Sequence, residues 1–372
     1  MDKRVVFAVA GSGKTTRIVE SLHSDKRCLV LTYTEQNLVN LRRKVEERFG
    51  GVPSTIVLST YFAFLHSFFL RHMLGLSMPS RGLNFKGSPI FPMIKEVRDE
   101  HYMDGGRRFY FNRVAKLIVK RGLADDARRR VEKYFELLCI DEVQDFGGHD
   151  FNFLEVLFTA NVPILLVGDF HQNTYVTSHD LSVNKNLHAN YGRYKARFAA
   201  AGVAVDSESL VKSHRCAPAI CQFIRDRVGV SIQTHSLREA TISFIDNQDE
   251  ADRIHARADV VKLFYQKHAR YSCRSQTWGG SKGEDHYNEV CIALNETTLK
   301  AYRKDGAMEL AGITRNKLYV ALSRARGSVY LVPEKLFAKH VRVAPGVIDV
   351  TKLKKGKKLV ANKISVPQAF VV

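Results

Sequence analysis

The sequence predicts an α/β fold: two units built on mostly parallel sheets, with a helical insertion in the first. Two observations carry this. Short apolar runs alternate with stretches of helical periodicity, the pattern of parallel strands joined by helices. Those runs are continuous rather than alternating in polarity, as strands covered on both faces require. At 372 residues, the chain has length for two or three domains and a sizeable core.

The elements follow in order. Residues 4–10 (Arg-Val-Val-Phe-Ala-Val-Ala) read as a buried strand ending in a glycine turn, and residues 17–23 can start a helix. Residues 27–33 read as the next strand. Over residues 35–49, Leu38, Leu41, Val45 and Phe49 recur at helical spacing in a polar background. The stretch 66–135 is richer in helix pattern, in Arg and Lys and in loops, and reads as an insertion. Apolar strands return at 136–140 and 163–168. A polar, mixed stretch over 176–205 places a domain boundary near 205. The first domain is then 1–205 and the second 206–340, with strand runs at 289–294 and 328–332. A basic tail, 341–372, holds a lysine cluster from Lys352 to Lys358. No internal repeat or long low-complexity segment is present.

Lys and Arg number 57 against 38 acidic residues, a formal charge of +19. Such an excess captures polyanions, of which nucleic acid is the commonest. No apolar run approaches the roughly 20 residues of a membrane span, and the N-terminus lacks a secretory apolar stretch. The expectation is a soluble intracellular protein that makes no membrane contact. The six cysteines form no C-x-x-C pair. Cys216 and Cys221 are not followed by a second ligand pair at zinc spacing, so reduced structural thiols are expected.

Two segments carry chemistry. After the first strand comes Ala8-Val9-Ala10-Gly11-Ser12-Gly13-Lys14-Thr15-Thr16, the Walker A pattern with Ala in place of the first Gly. Gly11 and Gly13 let the backbone curl with its N–H groups toward a phosphate chain, and the helix that follows adds its dipole. Lys14 can reach the β- and γ-phosphates, and the Thr15 hydroxyl is placed for Mg²⁺. The second segment ends an apolar strand at Asp141-Glu142. There Asp141 can hold the metal through water, and Glu142 can polarise an attacking water as general base.

Asp141-Glu142-Val143-Gln144-Asp145 resembles the D-E-x-Q-D box of superfamily 1 helicases of the UvrD/Rep type, and the glycine loop resembles that family's first motif. Six further segments resemble its motifs in order. Leu31 to Asn37, with Thr32, is similar to a motif that begins single-strand contacts. Ser59-Thr60-Tyr61-Phe62 is similar to the next, where hydroxyls touch phosphates and aromatics can stack on bases; core packing is the other reading of Tyr61, Phe62 and Phe64. Gly168-Asp169-Phe170-His171-Gln172 resembles G-D-x-x-Q, which implies that Gln172 senses the γ-phosphate. Tyr175, just beyond, would face the strand, whereas the Trp-Arg stacking pair usual there is missing.

His214-Arg215 lies in a segment similar to N-Y-R-S, which implies that Arg215 is an arginine finger and that His214 stacks on adenine. Thr277 to Asp285 is similar to T-x-H-x-x-K-G-x-E. It implies that Thr277 and Lys282 line the strand groove and that Asp285 sits near the ribose; Trp278 is core or a stacking group. Tyr319-Val320-Ala321-Leu322-Ser323-Arg324-Ala325 matches the last motif and implies a second finger, Arg324, with Arg326 structural. Seven residues precede Ala8, leaving no room for the glutamine segment that reads adenine. About 60 residues between Arg215 and Thr277 leave none for a large insertion.

The resemblance implies two RecA-like P-loop NTPase domains with ATP and Mg²⁺ in the cleft between them. It implies a helicase or translocase that moves on single-stranded DNA, 3′-to-5′, and meets duplex junctions and replication or repair proteins. A viral-type RNA helicase, or an ATP-switched nucleic-acid-binding factor that does not unwind, remain alternatives. Oligomeric state stays open.

Overall fold

A computed structural model describes residues 2–89, 94–174, 183–284, 286–304 and 306–342. Tyr175, Asp285 and the lysine cluster Lys352–Lys358 lie outside the described residues. Strands β1 (Lys3–Phe7), β2 (Cys28–Thr32) and β3 (Ile56–Thr60) open the chain, and β4 (Gly82–Asn84) and β5 (Arg108–Tyr110) make a separate two-stranded ribbon. β6 (Leu137–Ile140), β7 (Ile164–Gly168) and β8 (Ala204–Asp206) complete a six-stranded sheet in the order β3-β2-β6-β7-β1-β8. A short pair, β9 (Lys212–Ser213) and β10 (Gln233–Thr234), precedes a five-stranded second sheet. That sheet comprises β11 (Ile242–Phe244), β12 (Val261–Phe264), β13 (Ser275–Thr277), β14 (Val290–Leu294) and β15 (Val329–Pro333), in the order β11-β15-β14-β12-β13. Pairing is parallel within both sheets. The fold is therefore α/β, two RecA-like units with mostly parallel sheets.

The continuous apolar runs fold as fully covered strands. All of Cys28–Thr32 and all of Val290–Leu294 are buried. In the first sheet Val5, Phe7, Leu29, Leu31 and Ile140 pack on the side of the insertion, while Val6, Cys28, Val30 and Cys139 pack on the helices Lys14–Ser21 and Glu35–Phe49 through Ile18, Val19, Leu41 and Val45. This is the period-two division of a strand between its two faces. In the second sheet Leu263 and Ile292 face one core, and Phe264, Cys291 and Ala293 the other.

Several elements differ from the sequence expectation. The first helix begins at Lys14 rather than 17, because Gly13, at φ 96°, turns the chain into it. The first sheet runs through Asp206, since β8 pairs with β1. The insertion is not purely helical: it holds the β4–β5 ribbon beside the helices Val114–Lys120 and Ala124–Tyr134. Trp278 is core, fully buried with its Nε1 donating to Leu263 O at 3.0 Å. Among the described residues no helix is long and apolar enough to cross a membrane.

Strand order sets the site. With β1 between β7 and β8, and β6 beside β7, the segments leaving β1, β6 and β7 emerge side by side at one sheet edge. A Cβ built on Gly168, the last residue of β7, would lie 2.5 Å from Gln144 Oε1 and 2.8 Å from Val143 Cγ1. Only a glycine lets this strand end approach the turn after β6. Gly168→Ala is expected to destabilise the protein by about 1–3 kcal/mol, the usual cost of forcing atoms into a packed site, as read from the midpoint of urea unfolding.

Candidate functional site

The segment after β1 forms a loop closed by Ser12, whose hydroxyl donates to Val9 O at 2.8 Å. Gly11 and Gly13 take left-handed φ of 72° and 96°, a region open to glycine. Gly11 is also sterically committed: an added Cβ would sit 2.7 Å from Arg215 Cβ and 2.8 Å from Ser213 Oγ. Ser12 is buried and Lys14 half-buried. The Thr15 hydroxyl donates to Asp141 Oδ2 at 3.3 Å, and Thr16 Oγ1 accepts from Lys44 Nζ at 3.0 Å.

The turn after β6 is strained. Glu142 adopts φ 54°, ψ 46°, uncommon for a residue with a Cβ and a conformation that persists where surroundings enforce it. They do so here. Glu142 N donates to Asp141 Oδ1 at 2.9 Å, Gln144 Nε2 donates to Glu142 Oε2 at 2.5 Å, and Gln144 Oε1 accepts from Asp169 N at 2.9 Å. Burial, reinforced by the Glu142 charge, pushes the Asp141 carboxyl up to about 7. Burial would raise Glu142 too, but the Lys282 and Lys14 ammonium groups outweigh it and hold Glu142 below the usual carboxylate range. Gln172, buried, donates from Nε2 to Asp169 Oδ2 at 3.0 Å.

The second unit closes over this edge. His214 N donates to Gly11 O at 2.9 Å, and its ring stacks on His235 at 4.5 Å between centroids. Arg215 Nη1 donates to Ser323 O at 3.2 Å. Arg324 is buried and donates to Val320 O, Glu284 O and Ser323 Oγ at 3.1, 3.0 and 3.3 Å. Burial and the neighbouring Arg215 charge pull Arg324 down to about 10. The Tyr319 hydroxyl accepts from Ala10 N at 2.8 Å and donates to Asp169 Oδ2 at 2.9 Å, linking the units beside Gln172. Val9 and Ala10 join the hydrophobic core of the second unit.

A cleft of about 300 Å³ results. Gly11–Thr15, Asp141, Glu142 and Gln172 line one wall, and His214, Arg215 and Arg324 the other. Sequence reasoning missed further lining residues, Asn37, Asn40, Lys44 and Arg238, and Arg326, expected to be structural, lines the cleft beside Arg324. Asn37, Asn40 and Lys44 recur at helical spacing along one flank of the apolar stripe of residues 35–49, a signal that was available. Arg238 sits in a loop after β10 with no signal of its own. Tyr319 stood inside a recognised motif without a role.

The cleft suits a metal–phosphate group. Thr15 Oγ1 and Asp141 Oδ2 are hard oxygen donors 3.3 Å apart, the kind of pair that holds Mg²⁺ together with phosphate oxygens. The buried Asp141 carboxyl, held up by a second carboxylate, is the group a cation would relieve. Cys216 and Cys221 are free thiols, and among the described residues no group of three or more His, Cys, Asp or Glu side chains could hold a metal.

The expected strand contacts need correction. Thr32 is fully buried and its hydroxyl donates to Thr34 O at 3.0 Å. Thr60 is buried and caps a helix, accepting from Ala63 N at 3.4 Å. Tyr61 is fully buried with its ring 4.9 Å from that of Phe146, so it is core, as are Phe62 and Phe64. Thr277 Oγ1 accepts from Gly280 N at 2.9 Å. Lys282 does not line an open groove: its ammonium bonds both Asp145 oxygens at 2.6 and 2.7 Å and lies 3.8 Å from Glu142. At Thr32, Thr60 and Lys282 the polar group has taken an internal partner, as burial requires.

Comparison with solved structures returns "The structure of PRRSV helicase" (12% identity, TM-score 0.46, covering 91% of this chain and 54% of that one). It also returns "Complex structure of Arterivirus nonstructural protein 10 (helicase) with DNA" (15%, 0.48, 89% and 60%) and "Crystal structure of Arterivirus nonstructural protein 10 (helicase)" (14%, 0.48, 90% and 62%). The chain thus spans between 54% and 62% of the length of these proteins. Comparison with curated proteins gives no match. Residues 2–178, which hold the glycine loop, Asp141, Glu142 and Gln172, match the family described as an AAA domain.

Proposed function

We propose that this chain is an ATP-driven helicase or translocase acting on single-stranded nucleic acid. One observation carries the reading: Arg215 and Arg324 from the second unit face the glycine loop and the Asp141–Glu142 pair of the first across a single cleft. The ordered motifs, the +19 charge and the AAA-domain match support it.

In this mechanism the backbone N–H groups of residues 11–15 and the Lys14 ammonium hold the triphosphate of ATP. Thr15 and Asp141 would hold Mg²⁺, which would neutralise charge on the phosphate oxygens. Glu142, kept ionised by Lys14 and Lys282 and aimed by its strained backbone, orients the attacking water and receives its proton. Arg215 and Arg324 stabilise charge on the transferred phosphoryl group. His214, at the mouth of the cleft, is the stacking group for the base. Asp169 ties Gln172 to Tyr319, so a change at the phosphate end moves the contact between units. Closure on ATP and release after hydrolysis then step the strand along both units. DNA and 3′-to-5′ travel follow from the resemblance.

The test is ATP-dependent strand displacement on 3′- and 5′-tailed duplexes, with turnover measured against single-stranded DNA and RNA. Displacement from the 3′-tailed DNA is expected. Binding should weaken steeply with salt and hardly depend on sequence. Stimulated turnover without displacement would reduce the protein to an ATP-switched binding factor. Absence of stimulation by either strand would remove the motor reading.

A further inference from the structure

The segments that the resemblance assigns to strand contact have buried aromatic rings, yet those rings lead outward. Tyr33, just past the end of β2, packs edge-on to Phe62 (5.2 Å, 72°). Phe62 packs edge-on to Phe111 (5.2 Å, 90°) and to Phe85 (6.1 Å, 80°). Phe85 and Phe111 stack at 5.8 Å with 25° between planes. Phe62 is 4% exposed, whereas Phe85, at the outer end, is 63% exposed.

The residue is held firmly. It follows β4 in a turn where Asn84 Oδ1 accepts from Lys86 N at 2.9 Å and Asn84 Nδ2 donates to Asp104 Oδ2 at 2.8 Å. On the far side Ser88 N donates to Asn112 Oδ1, and Asn112 Nδ2 donates to Ser88 Oγ, both at 3.1 Å. A large apolar ring presented to water on a turn pinned at both ends has lost its conformational freedom in advance, which favours binding. Exposed Lys86 is the next residue, and exposed Arg81 lies at the other end of the same ribbon strand.

We propose that Phe85, backed by Phe111 and Phe62, is a base-stacking site for single-stranded nucleic acid, with Lys86 and Arg81 receiving the flanking phosphates. An aromatic face with adjacent cations is the chemistry that holds unpaired bases without regard to sequence. It also supplies a stacking ring to a chain that lacks the Trp-Arg pair after Gln172 and whose Tyr61 is sealed in the core. The inference rests on the reading above that this chain binds single strands.

The experiment measures binding of fluorescein-labelled oligothymidylate and oligouridylate by anisotropy for the wild type and for Phe85→Ala, Phe85→Leu and Phe85→Trp. The Ala and Leu variants are expected to bind about 5- to 150-fold more weakly, the range for loss of one base–aromatic stack, with strand-independent ATPase and thermal melting unchanged. Phe85→Trp should restore binding, and its indole emission should be quenched by the oligonucleotide. The single native Trp278 is fully buried and does not report there. Wild-type affinity in the Ala and Leu variants, or unquenched indole emission in Phe85→Trp, overturns the stacking site alone. A wild type that binds neither oligonucleotide overturns the nucleic-acid reading and this inference with it.

Discussion

Arg215→Ala is expected to slow ATP turnover about 10³- to 10⁵-fold, the range over which a cation delivered to a transferring phosphoryl group acts. Two guanidinium groups stand together in the cleft, where burial and then the Arg215 charge pull Arg324 down to about 10. A polyanion between them relieves that repulsion, most of all in the transition state, where charge on the phosphoryl oxygens is redistributed. The loss should therefore fall on kcat, with nucleotide KM moved far less and strand affinity unchanged. Arg215→Lys should recover only part of the rate, because a point charge lacks the planar fork. Arg215 is the cleaner probe: Arg324 also holds Val320 O, Glu284 O and Ser323 Oγ, so its removal destabilises the loop as well as the site. A rate for Arg215→Ala within about tenfold of wild type, where the smallest expected loss is a hundred times greater, would show that the second unit contributes no finger.

Lys14→Ala should cut turnover by about 10²- to 10³-fold or abolish it, the scale for removing one preorganised charge partner from a reacting oxygen. Its ammonium acts in two ways. In the proposed mechanism it is the cation that meets the phosphates, and it favours the charged forms of both Asp141 and Glu142. Without it, Asp141 and Glu142, the proposed metal ligand and water-orienting carboxylate, are both left less ionised in a buried place. Binding of a single strand should survive, since Lys14 lies in the cleft and not on the β4–β5 ribbon. Steady-state ATPase alongside oligonucleotide anisotropy separates the two, and normal hydrolysis by the variant would void the assignment of this cleft.

The parts of the fold visible in the sequence were those with the strongest local signal. β2 and β14 were legible because every side chain in them is apolar or small and buried. The helix Glu35–Phe49 was legible to the residue: Leu41 and Val45 make its buried stripe, Thr34 caps its start by accepting from Asn37 N, and Gly50 ends it in a left-handed turn. β3, at the sheet edge with a half-exposed pattern, and the three-residue β8 and β11 gave too short a signal.

The cleft wall from the glycine loop was readable because phosphate chemistry dictates both residues and spacing. The strand contacts were not, because a motif fixes residue type without saying which way a hydroxyl points. Thr32 and Thr60 turn theirs to the backbone. The partner of Lys282 was hidden for another reason: Asp145 lies 137 positions away, and only the meeting of two units brings them together.

That ion pair has a consequence for cycling. Bulk water solvates a separated ammonium and carboxylate about as well as the two satisfy each other when sealed from solvent, so such a contact adds little net stability to the shut form. It favours one register of approach, since a misaligned pair would strand two naked ions, yet it sets no deep trap. A catch that is exacting about alignment and weak in grip would suit the proposed motor, which must let go after every turnover.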